Sequence, residues 1–285
     1  MPEICLINGR VRPVRSASIP IDDWAVRYGW GLFETIRIHK SCPLFIERHI
    51  NRLCGAASLL ELGGQTEAER LNWHRDIARA VQLSSMRDGI VNCYWTRGSQ
   101  LAGVPPSRIV RIRPKPRYPK RSLNLWVAPW RIEPTFPGVG VKSLAYFPYI
   151  FAGMAARRAG FDEALVLNTT ERVADGAASS IFVVSKGRLL TPALDQGTLA
   201  GVTRSVILGI SKSLKLGMRE MPITWKTLLG ADEIFVGSSL RGVVQVAKVA
   251  DHWKSKSVDN SIFQRIELSY GQAITDDITH YQQAN

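Results

Sequence analysis

The sequence predicts an α+β chain of two domains, and three observations carry that expectation. Apolar residues make up 45% of the 285 residues, enough to bury a sizeable core shared by two modest domains. Alternating and β-branched segments sit beside stretches of helical apolar spacing in the first part of the chain, whereas short strand-like segments dominate the last part. Between them runs Arg111-Ile112-Arg113-Pro114-Lys115-Pro116-Arg117-Tyr118-Pro119-Lys120-Arg121, which its three prolines make a poor helix and which reads as a solvated linker. The expected division is a smaller N-terminal α+β domain over 1–114, a linker over 115–122 and a strand-rich C-terminal domain over 123–285.

Each element follows from local pattern. Glu3 to Arg12 reads as a strand and turn around Asn8-Gly9. Leu32 to Ile38 is β-branched and alternates over part of its length, His39 to Pro43 is a turn, and Pro43 to Ile46 returns. Glu47 to Leu62 places Ile50, Leu53, Cys54, Ala57 and Leu60 at helical spacing and should stop near Gly63-Gly64. Glu67 to Leu83 is a second amphipathic helix, and Ile90 to Trp95 and Ile109 to Ile112 are strands. After the linker, strands are expected at Leu123–Val127, Val139–Leu144, Ala164–Asn168, Ser180–Val184, Arg188–Thr191, Ile234–Val236 and Val243–Val246. Helices are expected at Ile150–Ala159, stopped by Gly160, and at Thr203–Leu214 and Ser261–Ile274.

Composition excludes several classes. No apolar run approaches the ~18 residues of a membrane span, and Met1-Pro2-Glu3-Ile4-Cys5 lacks the plan of a signal peptide, so a cytoplasmic protein with no membrane partner is expected. Cys5, Cys42, Cys54 and Cys93 are scattered, which points to free thiols and no structural metal. The formal charge is +13, but its densest run is proline-broken, so no nucleic-acid partner is expected; a general positive field would draw in an anionic substrate.

Four segments carry candidate chemistry, in the order Lys142-Ser143-Leu144-Ala145-Tyr146, Val173-Ala174-Asp175-Gly176, Leu199-Ala200-Gly201-Val202-Thr203-Arg204 and Gly237-Ser238-Ser239-Leu240-Arg241. They offer an amine, an acid and a helix start with free N–H groups. A phosphate-bearing Schiff-base cofactor needs all three. Earlier, Tyr28-Gly29-Trp30-Gly31-Leu32-Phe33-Glu34-Thr35 and Phe45-x-x-Arg48-His49-x-x-Arg52-Leu53 complete the set, and Gly160-Phe161-Asp162-Glu163-Ala164-Leu165 follows the lysine segment. In this order the segments resemble the fold-type IV family of pyridoxal phosphate enzymes, which contains branched-chain and D-amino acid transaminases and aminodeoxychorismate lyase.

The resemblance implies a role for each residue. Lys142 is the Schiff-base lysine and proton shuttle, though an exposed lysine at a strand end is the commoner fate of that residue type. Asp175 stands where most members have Glu and would partner the pyridine nitrogen; as a bare pattern it is also a turn aspartate. Its shorter side chain draws the carboxylate back by about 1.5 Å, one bond length. Ser179-Ser180 departs from an Asn in the same loop, and Trp30 replaces the usual acid. Arg52, the N–H groups of Val202 and Thr203, the Thr203 hydroxyl and Ser239 would grip the phosphate, although Gly201-Val202-Thr203-Arg204 alone reads as an ordinary helix cap. Leu199 would touch one face of the ring, and Tyr146 is a candidate donor to its phenolic oxygen.

Phe33, Arg97, Leu240 and Arg241 are candidates for the substrate side. Phe33 replaces a tyrosine of D-amino acid transaminases, and Gly98 to Gly103 lacks their Arg-x-His trap. Tyr94-Trp95-Thr96-Arg97-Gly98 and Ser238-Ser239-Leu240 differ from the Tyr-x-Arg-Pro strand and Gly-Thr-Ala turn of branched-chain transaminases. The turn at Ser238–Gly242 is similar to aminodeoxychorismate lyases, where Arg241 would bind a carboxylate; a structural arginine is the alternative. The resemblance therefore implies a homodimer with pyridoxal 5'-phosphate, aminodeoxychorismate lyase as first reading and transamination of branched-chain or related amino acids as second. A basic nucleic-acid binder and a silent cofactor-binding protein remain as other classes.

Overall fold

A computed structural model describes residues 3–63, 66–118, 122–256 and 261–284. The chain divides into two compact units, one of Met1–Arg117, Val141–Tyr146 and Thr275–Asn285, the other of Tyr118–Gly140 and Phe147–Ile274. The lysine segment is therefore part of the first unit, although the sequence boundaries put it in the C-terminal domain.

The first unit opens with β1 (Ile4–Ile7) and β2 (Arg10–Arg12), followed by α1 (Trp24–Tyr28), β3 (Gly31–His39), β4 (Cys42–Pro43), α2 (Ile46–Ala57), α3 (Glu67–Ser84), β5 (Asp88–Thr96) and β6 (Arg108–Arg113). The strands form one antiparallel sheet in the order β2-β1-β6-β5-β3-β4. Alternation along β3 sends Leu32, Ile36 and Ile38 to one face, where they join Val91, Val110 and Ile112 under Ile50 and Leu53 of α2 and Trp73 and Ile77 of α3. Thr66 starts α3 with a reciprocal cap: its hydroxyl accepts from the Glu69 N–H at 3.2 Å, and the Glu69 carboxylate accepts from the Thr66 N–H at 3.4 Å. α2 ends at Ala57 and tightens into a 3-10 turn over Ser58–Leu60, so the expected stop comes earlier than Gly63, and Gly64 lies outside the described residues. The first three residues of the basic run belong to β6, whereas Pro119, Lys120 and Arg121 lie outside the described residues.

The second unit contains β7 (Ser122–Ile132), α4 (Phe147–Arg158), β8 (Glu163–Asn168), β9 (Arg172–Gly176), β10 (Ser180–Ser185), β11 (Arg188–Thr191), α5 (Val202–Ser213), β12 (Arg219–Glu220), β13 (Ile223–Thr224), α6 (Trp225–Leu229), β14 (Glu233–Ser238), β15 (Gly242–Val249), β16 (Trp253–Lys254) and the start of α7 (Ile262–Ala284). Its mixed sheet runs β12-β11-β10-β14-β15-β7-β8-β9-β13, with β16 on β15. Core residues such as Leu125, Leu165, Val183, Ile234 and Val246 are fully or almost fully buried. A strand-rich second unit and a helix-covered sheet in the first give the mixed α+β architecture of fold-type IV enzymes.

One expected strand does not form. Val139–Leu144 makes only an isolated bridge, Ser143 opposite Leu32, because Gly138 and Gly140 both take positive φ, 92° and 77°, and break the extended path. β9, not expected from sequence, carries Asp175. α7 continues past the expected end at Ile274, and its residues from Thr275 belong to the first unit. Among the described residues no helix is long and apolar enough to cross a membrane, and the four cysteines are buried free thiols.

Candidate active site

In the first unit the lysine segment is laid against the start of β3 by two backbone bonds, Phe33 N–H to the Lys142 carbonyl at 2.9 Å and Leu144 N–H to the Gly31 carbonyl at 2.8 Å. The approach requires glycine. A Cβ on Gly29 would lie 3.0 Å from the Ala145 backbone, and one on Gly31 would lie 2.5 Å from the Trp95 carbonyl oxygen. The Lys142 amine sits 4.2 Å from the Phe33 ring centroid and 5.0 Å from that of Tyr146, and those rings meet edge to face at 5.2 Å. Lys142 is thus a partly buried amine beside two aromatic rings, and not a solvated strand-end lysine.

Behind it lies a charged network that sequence reading quoted only as motif letters. Arg52 donates from Nε and Nη2 to the two oxygens of Glu34, both at 2.7 Å, and His49 Nδ1 is 2.8 Å from Glu34 Oε2. Glu34 and His49 are each only 1% exposed. Burial alone would raise the Glu34 carboxyl, but Arg52 and His49 hold it well below the ordinary carboxylate range. Burial lowers the His49 pKa, with Glu34 opposing and Arg52 and Lys142 assisting. Period-2 alternation on β3 and the three-residue step on α2 bring these groups together.

This pairing sets an expected result. Arg52→Ala takes the two-bond guanidinium partner from buried, charged Glu34 and leaves it the His49 contact, so the cofactor-free protein should lose about 3 kcal/mol; the double change Glu34→Gln/Arg52→Gln should recover part of that loss in denaturant unfolding. A double variant at least as unstable as Arg52→Ala would contradict the pairing. Because the Glu34 pKa is depressed in the folded state, its contribution is present above about pH 4.3 and is lost as pH falls through the native value.

In the second unit Asp175 sits on β9 opposite Val166, only 5% exposed. Its Oδ2 accepts from the Leu199 N–H at 3.1 Å, while its buried Oδ1 accepts no hydrogen bond. Burial pushes the carboxyl up to about 8, the Leu199 N–H and Arg204 opposing and Glu163 adding to the rise. A buried acid with one unfilled oxygen is suited to a ring N–H donor. The loop after it is held by Glu163, which accepts from the Ser179 hydroxyl at 2.6 Å and the Ala178 N–H at 2.9 Å. Ser179 thus anchors the loop in which the family pattern has Asn.

Gly201 precedes α5, and its backbone passes so close to Ser180 that a Cβ would meet the hydroxyl at 2.9 Å. No side chain caps this helix start, which leaves the backbone N–H groups of buried Val202 and Thr203 facing the helix entrance. The Thr203 hydroxyl is 3.5 Å from that of Tyr270. Ser239 and Leu240 lie in the turn between β14 and β15, and Ser238 Oγ accepts from the Arg241 N–H at 3.4 Å. The Arg241 guanidinium stacks 4.7 Å from the Tyr118 ring centroid. Arg97 takes a different course: it reaches Glu61 at 3.4 Å, stacks over Trp24 at 5.8 Å, and its Nε has no acceptor. Sequence reading missed Glu163, Tyr118 and Tyr270, whose partners are distant in the chain.

An amine segment, a buried acid with a vacant oxygen and an uncapped helix start are the components of a class of phosphate-cofactor enzymes, and comparison with known proteins gives that class. The amino-transferase class IV family matches residues 31–249; the chain belongs to this family, whose enzymes use pyridoxal phosphate. It is 28% identical over 257 residues to the branched-chain-amino-acid aminotransferase of Escherichia coli K12, covering 85% of this chain and 83% of that one. A branched-chain aminotransferase from Thermoproteus uzoniensis superposes with a TM-score of 0.87 at 25% identity, covering 98% of this chain and 96% of the other. A provisional 4-amino-4-deoxychorismate lyase from Legionella pneumophila gives 0.83 at 25% identity, with 91% and 97% covered.

Proposed function

We propose that the protein moves an amino group between an amino acid and a keto acid, with Lys142 as the proton-transferring amine. The observation that carries this reading is Asp175, a buried carboxyl whose Oδ1 waits for a donor. When bound, pyridoxal phosphate supplies a carbonyl for the amine and an electron sink for charge left on the substrate's α-carbon. Lys142 Nζ accepts the proton leaving that carbon and returns it, and the rings of Phe33 and Tyr146 restrict where the amine can point. Asp175 Oδ1 would accept from the ring nitrogen of the bound cofactor, and Leu199 would offer an apolar contact. Arg52, the Val202 and Thr203 N–H groups, the Thr203 hydroxyl and Ser239 are the groups that would hold its phosphate. Phe33, Arg97, Leu240 and Arg241 are assigned to the substrate side.

The aminotransferases among its relatives support amino-acid transamination as the first reading. The Ser238–Gly242 turn with Arg241 keeps lyase action on aminodeoxychorismate as the second reading, in which the same Nζ takes the proton and pyruvate leaves. A homodimer in the cytoplasm completes the proposal: Leu101, 91% exposed at the tip of the Gly98–Gly103 loop, is a surface that a second copy would cover. Supplying amino acid and keto acid pairs should give sustained exchange. Many turnovers of pyruvate from aminodeoxychorismate with no keto acid present, and no exchange with any pair, would replace the first reading with the second.

A further inference from the structure

α2 starts without a cap of its own. A capping box would put Ser or Thr just before the helix and Glu or Gln three residues later, so that the acid accepts the first orphan N–H. This chain has Phe45 and Arg48 in those places, and neither side chain can accept a hydrogen bond. Phe45 also takes the left-handed conformation, with φ at 53°, which a bulky side chain adopts only where its surroundings hold it there. The start of α2 therefore needs an acceptor from elsewhere.

Asp277, 232 residues further along the chain, is that acceptor. Its Oδ2 receives the Phe45 N–H at 2.7 Å. The residue lies towards the end of α7, in the stretch that belongs to the same unit as α2. A carboxylate there is also favoured by the positive end of the α2 dipole. Burial raises the Asp277 carboxyl, whereas the Phe45 N–H, His280, Arg48 and His49 counter that rise. On either side of the joint, the Leu44 N–H bonds the Arg37 carbonyl of β3 at 2.9 Å, and the His49 N–H returns to the Phe45 carbonyl at 3.2 Å. Asp277 thus fastens the end of α2 that the sheet edge leads into.

The consequence reaches the site. Arg52 lies about two turns on from Phe45, roughly 10 Å along a helix that moves as one body, and its two bonds to Glu34 are both 2.7 Å. A shift or tilt at Phe45 would carry Arg52 with it, and a two-pronged contact loses its alignment before it loses its charge. We propose that Asp277 is a positioning residue, which by fastening the start of α2 from the last helix sets Arg52 for the cofactor's phosphate. The inference rests on Arg52 holding that phosphate. It gives the end of α7 a part in cofactor retention, although Asp277 acts only through α2.

A cavity of about 260 Å³, lined in part by Ile46, Ala78, Asp277 and Tyr281, opens beside this bond, so a missing carboxylate can be supplied from outside. Pyridoxal phosphate and pyridoxal, which lacks the phosphate, would each be titrated into the full chain freed of cofactor. Wild type should bind the phosphate form more tightly. Asp277→Ala should weaken pyridoxal phosphate about 10-fold, the low end for a hydrogen bond to a charged group, and leave pyridoxal unchanged. Asp277→Asn keeps an oxygen for the Phe45 N–H and should stay near wild type, and formate, small enough for the cavity, should restore much of the loss in Asp277→Ala. Should the alanine protein not fold, Asp277→Ser, whose hydroxyl stops one bond short, carries the same expectations. Undiminished pyridoxal phosphate binding, an equal loss for both ligands, or a loss that neither asparagine nor formate repairs overturns the positioning role. Glu34→Gln/Arg52→Gln judges the underlying reading. If it binds both ligands as wild type does, Arg52 does not hold the phosphate; a selective loss there beside an unaffected Asp277→Ala removes only Asp277.

Discussion

Lys142→Ala should be colourless after purification with pyridoxal phosphate and should lose turnover by at least about 10⁴-fold, since one amine both holds the cofactor carbonyl and transfers the proton. The fold should survive. Lys142 is only partly buried, and the two backbone bonds that hold its segment to β3 do not involve its side chain. Absorbance of the purified protein and steady-state turnover check both parts. A variant that retains the visible band and most of its activity would remove Lys142 from the chemistry.

Asp175→Asn should retain the cofactor, because the phosphate contacts are elsewhere, but slow turnover on the order of 10² to 10³, the usual cost of removing one preorganised stabilising group. A second signature needs no substrate. The folded-state carboxyl, raised to about 8, binds a proton more tightly than the unfolded one near 3.9, an ordinary value. The folded state therefore holds more protons than the unfolded across this window, and stability of the cofactor-free protein should fall as pH rises from about 4 to about 8, by up to roughly 1.4 kcal/mol per unit. Asp175→Asn should flatten that fall. A pH profile of thermal unfolding that is the same in both proteins would contradict the burial argument.

These effects trace to residues whose legibility in the sequence differed. Lys142, Asp175 and the helix start at Val202 could be read because each belongs to a short segment whose type and order carry chemistry. Strong periodicity gave α3 and β3 close to their observed limits. Val139–Leu144 misled because its apolar residues imply a strand while the glycines at 138 and 140 bend the backbone. β9 was missed because Arg172–Gly176 is short and ends in Asp-Gly, which by itself signals a turn. The Glu34, His49 and Arg52 network joins two elements, and its letters were visible without their pairing. The basic run at 111–121 read as linker because prolines dominate its centre; only the register of β6 shows that Arg111 and Arg113 face the same side as Phe33.

The central claim is that Lys142 holds the cofactor, and borohydride reduction followed by peptide mass analysis tests it most directly. Reduction fixes the bond between cofactor and amine, so the phosphopyridoxyl mass should appear on the peptide containing Lys142 and on no other lysine. A label on any other lysine, or none on a protein loaded with pyridoxal phosphate, would contradict the account.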